Sequence, residues 1–181
     1  MIKMYHDVLT FWFDELTPNQ WWEKNSALDE HIKVKFKTVH QQAIQCELFS
    51  WRKTAKGRLA EIIILDQFSR NMFRDTSKSF AYDGLALSLS QQAIAVEADK
   101  ELNAVERSFI YMPFMHSESI IIHEEACSLF KANGIDSNYQ FELRHLDIIK
   151  KFGRYPHRNH ILNRQSTVEE IEFLSQPNSS F

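Results

Sequence analysis

Glycine and proline are scarce in this sequence, and their scarcity limits the choice of fold more than any other feature. Each occurs only four times among 181 residues. Tight turns rely on these two residue types, and an all-β chain of this length would need many such turns. Apolar residues recur instead at intervals of three and four along most of the sequence, which is the spacing of amphipathic helices. The sequence therefore predicts an all-α fold.

Capping residues and helix breakers divide the sequence into seven to nine predicted helices. Ser26 is the expected N-cap of the second helix, and Ser166 with Glu169 forms the expected capping box of the last one. Pro113 is expected to shorten the helix that Asn103 opens. Short connections favour antiparallel hairpins of helices. The main predicted helices cover residues 5–16, 26–49, 57–73, 79–96 or 83–96, 104–112, 117–133, 138–152 and 167–175.

The amino-acid composition supports a single folded domain. Hydrophobic residues make up 44% of the chain and aromatic residues 13%, so a chain of this length can bury a sizeable core. We expect one helical domain at residues 1–175 and a polar tail at residues 176–181. The sequence does not indicate an oligomeric state.

Charge and hydropathy argue against two classes of partner. The net charge is −3 and the isoelectric point is near 6.2, so neither a nucleic acid nor an anionic membrane surface is an expected partner. No apolar run approaches the roughly 18 residues of a membrane span. The N-terminus lacks the apolar segment with basic flanks of a secretion signal. The expected location is therefore cytoplasmic.

Motifs for metals, cofactors and reactive cysteines are missing from the sequence. Cys46 and Cys127 have no CxxC partner, and we expect both to be buried in a reducing compartment. His116 and His123 lie seven residues apart, and the segment that follows lacks the second histidine of an HExxH motif. No glycine-rich phosphate loop occurs. The sequence therefore predicts neither a metal nor a cofactor.

Three polar segments, at residues 66–74, 106–118 and 144–159, differ from the rest of the chain in their basic residues. Seven of the nine arginines lie in or beside them, but only two of the twelve lysines do. The planar guanidinium suits bidentate pairing in partly buried places, whereas lysine suits solvated faces. The candidate ligand-binding residues are Arg70, Asn71, Arg74, Arg107, Tyr111, His116, Arg154, His157, Arg158 and Asn159. Their candidate ion-pair partners are Asp66, Glu106, Glu118 and Asp147.

Three hypotheses account for this clustering. In the first, some arginines keep free donors and line a concave site for an anionic small molecule or an acidic peptide, without catalysis. In the second, the protein is an enzyme in which His157 acts as acid and base while Arg154 or Arg158 holds an anionic substrate. In the third, the arginines form only ion pairs that hold helices together. We take the binding site as the leading hypothesis.

Several sequence blocks also carry a family resemblance. Together they are similar to the signature blocks of the bacterial family called domain of unknown function 924, over about residues 8–174. Ser69 stands where that family often has proline, and Tyr155 where phenylalanine is common. The resemblance implies an all-helical, tetratricopeptide-like, right-handed array and implies no reaction. The blocks are FWF at 11–13, LDQFSRN at 65–71, ER at 106–107 with HSE at 116–118, HLD at 145–147, FGRYPHRN at 152–159 and residues 166–170.

Overall fold

The computed structural model describes residues 4–177 and 179, and all regular structure within them is helical. The predicted all-α fold is confirmed. Wider, π-helical turns at Thr10–Glu15 and Ile64–Phe68 extend α1 and join α3 to α4. Counting α3 and α4 as one continuous helix gives eight helices in this part of the chain. The helices are α1 (Tyr5–Leu9), α2 (Ser26–Ile44), α3 (Ala55–Ile63), α4 (Ser69–Met72), α5 (Asp83–Ala95), α6 (Ala104–Met115), α7 (Ile120–Asn133), α8 (Asp136–Phe152) and α9 (Val168–Leu174).

Helices α6, α7 and α8 form consecutive hairpins that support the later part of the chain. α6 packs on α7 and α7 packs on α8, across connections of only four and two residues. Such short connections make neighbouring helices antiparallel, so α6 and α8 run in the same direction. Gly134 and Gly153 end α7 and α8 with φ values of +79° and +70°, in agreement with the predicted stops. A tetratricopeptide-like array of the hairpins stays a prediction.

Aromatic side chains form the centre of the core. Phe36 lies 5.0 Å from Phe11 and 4.8 Å from Phe68 between ring centroids, and Trp12 reaches Phe68 and Phe109 at 5.6 and 5.7 Å. The five side chains are at most 2% exposed. Large rings bury much apolar area in few residues, so this cluster ties α1, α2, α6 and the α3–α4 helix together.

The start of α3 is packed directly against the preceding short helical turn at Phe49–Lys53. Thr54 caps α3 by accepting a hydrogen bond from the Gly57 amide at 3.0 Å. A Cβ atom on Gly57 would lie 2.0 Å from the carbonyl oxygen of Trp51. Only glycine leaves room for that backbone approach.

Several predicted helix ends are wrong by one to five residues. Asn25, and not Ser26, caps α2, because its side chain accepts hydrogen bonds from two backbone amides of the first turn. The same helix ends at Ile44 and not near residue 49. Thr167 and Glu170 form the last capping box, one residue beyond the predicted pair. Adjacent Ser, Thr and Asn residues have similar capping propensities, so sequence alone does not separate them.

Two further expectations are corrected. α6 continues through Pro113 to Met115. The proline removes one helical hydrogen bond, but the Asn103 capping box and the near-complete burial of the helix outweigh that loss. Cys46 is exposed and Cys127 is half-buried, so neither is the fully buried thiol that was expected. Cys46 lies outside the core because it follows the end of α2 with a φ of +59°.

The single domain at residues 1–175 and the polar tail at residues 176–181 stay predictions. α9 ends at Leu174, close to the expected boundary at residue 175, while residues 178, 180 and 181 of the predicted tail lie outside the described residues. Within the described part of the chain, no helix is long and apolar enough to cross a membrane.

Candidate functional site

A cavity of about 680 Å³, called the recess below, lies among the polar segments. Its wall is formed by the loop before α2, the end of the α3–α4 helix, the loop between α4 and α5, the C-terminal part of α6, the N-terminal half of α8 and the loop after α8. Residues far apart in sequence therefore meet in one place. The predicted candidates in the wall are Arg70, Asn71, Arg74, His116, His157 and Arg158.

Arg158 is the most enclosed arginine of the recess. Its guanidinium carbon lies 4.5 Å from the Phe80 ring centroid and 4.6 Å from that of Tyr155, so it is held between two aromatic rings. Nη2 donates to the His116 carbonyl at 3.0 Å, and Nη1 lies 3.4 Å from Asp83. The residue is 6% exposed, and its Nε bonds to no described residue. Part of its hydrogen-bonding capacity is therefore unused.

Arg70 takes the larger share of the nearby negative charge. It donates to both carboxylate oxygens of Asp83, at 2.9 and 3.0 Å, and to the Asp66 carboxylate at 3.0 Å. Burial opposes ionisation of Asp66, but Arg70 and His116 outweigh it and hold the pKa of that carboxyl below its usual range. Asp83 thus accepts hydrogen bonds from two arginines, and its shorter bonds are those with Arg70.

Arg74 and Asn71 are fixed by a carboxylate from another helix. Asp29, in the first turn of α2, accepts from Arg74 Nε at 2.5 Å and Nη2 at 2.8 Å. It also accepts from the Asn71 side chain at 2.8 Å. Arg74 therefore lines the recess as a paired cation.

His116 and Asp66 form a histidine–carboxylate pair at the wall of the recess. His116 Nδ1 lies 2.7 Å from an Asp66 carboxylate oxygen. An ionised carboxylate only accepts, so Nδ1 carries the proton. Burial and the neighbouring Arg70 lower the pKa of His116, so its imidazole is neutral near pH 7. Nε2 makes no hydrogen bond to a described residue and is the basic atom of the ring.

The other two histidines of the recess are also neutral. His145 donates from Nδ1 to the Phe141 carbonyl at 2.7 Å, and burial lowers its pKa to about 3. Burial and the adjacent Arg158 lower the pKa of His157 to about 3. The positive charge of the recess therefore comes from its arginines and lysine, and not from histidine. The described residues contain no group of three or more His, Cys, Asp or Glu side chains arranged to hold a metal ion.

A buried chain of polar side chains lies behind the Tyr155 ring. The Tyr155 hydroxyl donates to the Met115 carbonyl at 2.5 Å and lies 3.1 Å from His123 Nε2. His123 Nδ1 lies 2.6 Å from Glu142, and neither of these two residues is exposed. Burial raises the pKa of the Glu142 carboxyl. These contacts fix the ring against which Arg158 stacks.

The outer part of the recess is more exposed and carries both signs of charge. Lys24 and Arg144 are exposed and form no ion pair with a described residue. Glu23 and Asp75 are exposed there as well. Solvated charges of this kind interact weakly with a molecule inside the recess, because water screens them.

Two predicted candidates from α6 lie away from the recess. Arg107 donates to the carbonyls of Asp99 and Leu102, at 3.0 and 2.9 Å. The Tyr111 hydroxyl donates to the Asp99 carboxylate at 2.7 Å. Arg107 precedes His116 by nine residues, about 13 Å along the helix. These two side chains hold α6 to the turn before it.

Arg154 and Asn159 also lie outside the wall of the recess. Both bond to Glu170 of α9, Arg154 at 2.7 and 2.8 Å and Asn159 at 3.1 Å. Glu118 pairs in the same region with Arg164, at 2.7 and 2.8 Å. This group attaches α9 to the loop after α8.

Two predicted carboxylate partners behave differently from expectation. Glu106 pairs with Lys56 and not with an arginine, because the start of α3 lies next to the start of α6. Asp147 is exposed and forms no ion pair with a described residue, because it lies on the outer face of α8.

Several residues of the recess were not among the candidates predicted from sequence. No helical spacing connects Asp29 with Arg74 or Asp83 with Arg158, because the partners are 45 and 75 residues apart in the chain. The aromatic residues other than Tyr111 were counted only as a supply of core side chains. The residues that were missed include Trp22, Lys24, Phe80, Met112, Phe141, Arg144, His145 and Tyr155 in the wall, with Asp29 and Asp83 behind it.

Comparisons with known proteins agree with this structure. No curated protein matches the chain in sequence. A solved structure, described as a protein of unknown function, ATU0120, from Agrobacterium tumefaciens, is similar with a TM-score of 0.90 and 37% sequence identity, covering 94% of this chain and 96% of that one. The profile described as "Bacterial protein of unknown function (DUF924)" matches residues 8–178. The chain therefore belongs to the DUF924 family, as its sequence blocks indicated.

Proposed function

We propose that the recess binds a small anionic molecule, a carboxylate or a phosphate, through the guanidinium of Arg158. The observation that supports this is the unused Nε of a side chain that is only 6% exposed. A buried donor without an acceptor costs about 1–3 kcal/mol. A bound anion would supply that acceptor, and guanidinium matches carboxylate and phosphate oxygens well.

The charge distribution around Arg158 also favours an added anion. Asp83 makes its shorter bonds to Arg70, which has Asp66 as a second partner. Among the described residues, the only carboxylate in contact with Arg158 is Asp83, at 3.4 Å. Burial and the nearby Arg70 lower the pKa of Arg158, the direction expected of a cation without a full counter-charge.

Thermal unfolding followed by circular dichroism tests this proposal. The probes are acetate, inorganic phosphate and an acidic peptide, at constant ionic strength. A ligand at a hundred times its dissociation constant stabilises the fold by about 2.7 kcal/mol. For a chain of this size that corresponds to an increase in Tm of roughly 5–10 °C.

Two variants show whether the ligand that raises Tm binds at Arg158. Arg158→Lys should lose most of the increase in Tm, since lysine lacks the guanidinium fork. Arg154→Lys is the matched control, because Arg154 bonds to Glu170 outside the recess. It should respond as the unaltered protein does. No response to any probe, or an equal response in both variants, would refute binding at Arg158.

The His116–Asp66 pair supports a second candidate function, hydrolysis of an anionic ester. The enzyme hypothesis from sequence gave the acid–base role to His157. His116 is better placed, because Asp66 orients its ring and leaves Nε2 as the base. Nε2 would take a proton from water while the water oxygen attacks the ester carbonyl. The imidazolium would then return the proton to the leaving alkoxide.

Hydrolysis of p-nitrophenyl acetate and p-nitrophenyl succinate, the second of which carries a free carboxylate, tests this second function. His116→Gln should lower the rate about 10²–10⁴-fold if the histidine is the base. His157→Gln should leave most of the rate intact. The reverse result would favour His157, and a rate no higher than that in buffer would remove the enzyme hypothesis.

A further inference from the structure

We infer that the ligand of the recess is an amphipathic carboxylate, whose charged end lies at Arg158 and whose apolar chain runs outwards along Met112, Phe141 and Trp22. This inference rests on the proposed function, because it needs an anion at Arg158. It adds the chemical class of the rest of the ligand.

The wall of the recess changes from charged to apolar along α6. The His116 carbonyl contacts Arg158 at the C-terminal end of the helix. Met112 lies one turn before it. Trp22 stacks in parallel on Phe109 at 6.0 Å, a further turn back. Seven residues separate Phe109 from His116, which is about 10 Å along the helix axis.

α8 shows the same change in the same direction, since it runs parallel to α6. His145 lies beside Tyr155 at 5.6 Å between ring centroids, next to the arginine end. Phe141 lies one turn earlier, about 6 Å away along the axis. Each of the two helices thus carries an apolar wall side chain, Met112 or Phe141, one turn before the histidine at its arginine end.

Exposure shows which end opens to solvent. Tyr155, His145 and Arg158 are 1%, 5% and 6% exposed, whereas Phe141 and Trp22 are 47% and 57% exposed. The arginine end is therefore the floor, and Phe141 and Trp22 lie at the mouth among the exposed charged side chains described above. A ligand with a charged group at one end and an apolar chain at the other would match both, and it would enter with its charged end first. Exposed large apolar side chains beside a cavity are typical of binding sites.

Isothermal titration with a series of straight-chain carboxylates, from acetate to octanoate, tests this inference. The dissociation constant should fall about fourfold for each added methylene until the chain reaches the mouth, since burying one CH₂ contributes about 0.8 kcal/mol. Octanol, which has the chain without the charge, should bind far more weakly than octanoate.

Phe141→Ser should weaken octanoate binding several-fold and leave acetate and phosphate binding unchanged. Phe49→Ser is the matched control, because Phe49 is 68% exposed and lies outside the wall of the recess. Phe49→Ser should change neither octanoate binding nor the binding of acetate and phosphate. Equal affinities for acetate and octanoate would overturn the amphipathic ligand and leave the proposed anion site intact. Octanoate binding that survives both Arg158→Lys and Phe141→Ser would overturn it too. If no anion binds, the proposed function fails as well.

Discussion

At the scale of single residues, Asp83 determines how much of the positive charge of Arg158 is compensated. It is the only described carboxylate in an ion pair with Arg158, and it makes shorter bonds to Arg70. Arg70 would keep Asp66 if Asp83 were neutral. Arg158 would then be buried without a counter-charge. One carboxylate therefore controls both the stability of the recess and its attraction for an anion.

Asp83→Asn is expected to lower the free energy of unfolding by about 3 kcal/mol, because removing one partner leaves a buried cation unpaired. The same change should raise the affinity for acetate or phosphate, since the competing carboxylate is gone. Urea denaturation and titration calorimetry measure the two effects. Asp147→Asn is the control. Asp147 is exposed and forms no ion pair with a described residue, so we expect a change within about 0.5 kcal/mol. A stable Asp83→Asn protein with unchanged affinity would contradict this account.

At the scale of secondary structure, the start of α3 depends on one glycine. The backbone of Trp51 approaches Gly57 so closely that a methyl group has no place. Gly84 lies in the first turn of α5, and a Cβ there would meet nothing within 4 Å. Two helical glycines thus have opposite surroundings.

Gly57→Ala is expected to destabilise the protein by about 3 kcal/mol or more, because the clash is with backbone and cannot be relieved by a rotamer change. Gly84→Ala should stabilise it by about 0.5–1 kcal/mol, since alanine is the better helix former. Differential scanning calorimetry of the two variants gives the comparison. Equal changes of the same sign would show that the two helix starts tolerate a methyl group alike.

At the scale of the whole molecule, buried neutral histidines make stability depend on pH. Burial lowers the pKa of His40 to about 4, and that of His145 and His157 to about 3, from 6.5 in the unfolded chain. The unfolded state therefore binds more protons below pH 6.5, and acid favours unfolding. Glu142 acts in the opposite direction, because burial raises the pKa of its carboxyl. The histidines outnumber it.

The free energy of unfolding should accordingly fall as the pH is lowered from 7 to 5. Each histidine contributes at most about 1.4 kcal/mol per pH unit in this range. The decrease should begin above pH 5, before the carboxylates of the unfolded chain are protonated. Urea denaturation at half-unit intervals measures it, and His145→Gln should reduce the slope. Constant stability between pH 7 and 5 would mean that these imidazoles take up protons in the folded protein.

The fold was largely predictable, because each helix carries its own periodicity and its own stop signal. Gly134 and Gly153 end helices where the sequence placed their ends. The helix end predicted at Pro113 was wrong. The cost of the proline is local, whereas the burial that offsets it comes from packing against other helices. Helix starts were misplaced where neighbouring residues cap equally well, as at Asn25 and Ser26.

The recess was predictable only in part. The excess of arginine over lysine indicated which segments meet, but not which arginines share a cavity. Arg107 and Arg154 lie in the arginine-rich segments just as Arg158 does, yet their side chains attach other turns of the chain. Asp29 and Asp83 look like ordinary acidic residues at helix starts. Their pairing depends on how helices pack, and that information is not local in the sequence.

The stacking of Trp22 at the mouth of the recess has an optical consequence. Trp12 and Trp51 are 1% and 9% exposed and Trp21 is half-buried, while Trp22 is 57% exposed. Trp22 is thus the tryptophan most accessible to a collisional quencher such as iodide. A molecule bound in the mouth of the recess would shield its indole from the quencher. The protein carries an intrinsic fluorophore at the entrance of its own cavity, so occupancy can be followed by emission without any label.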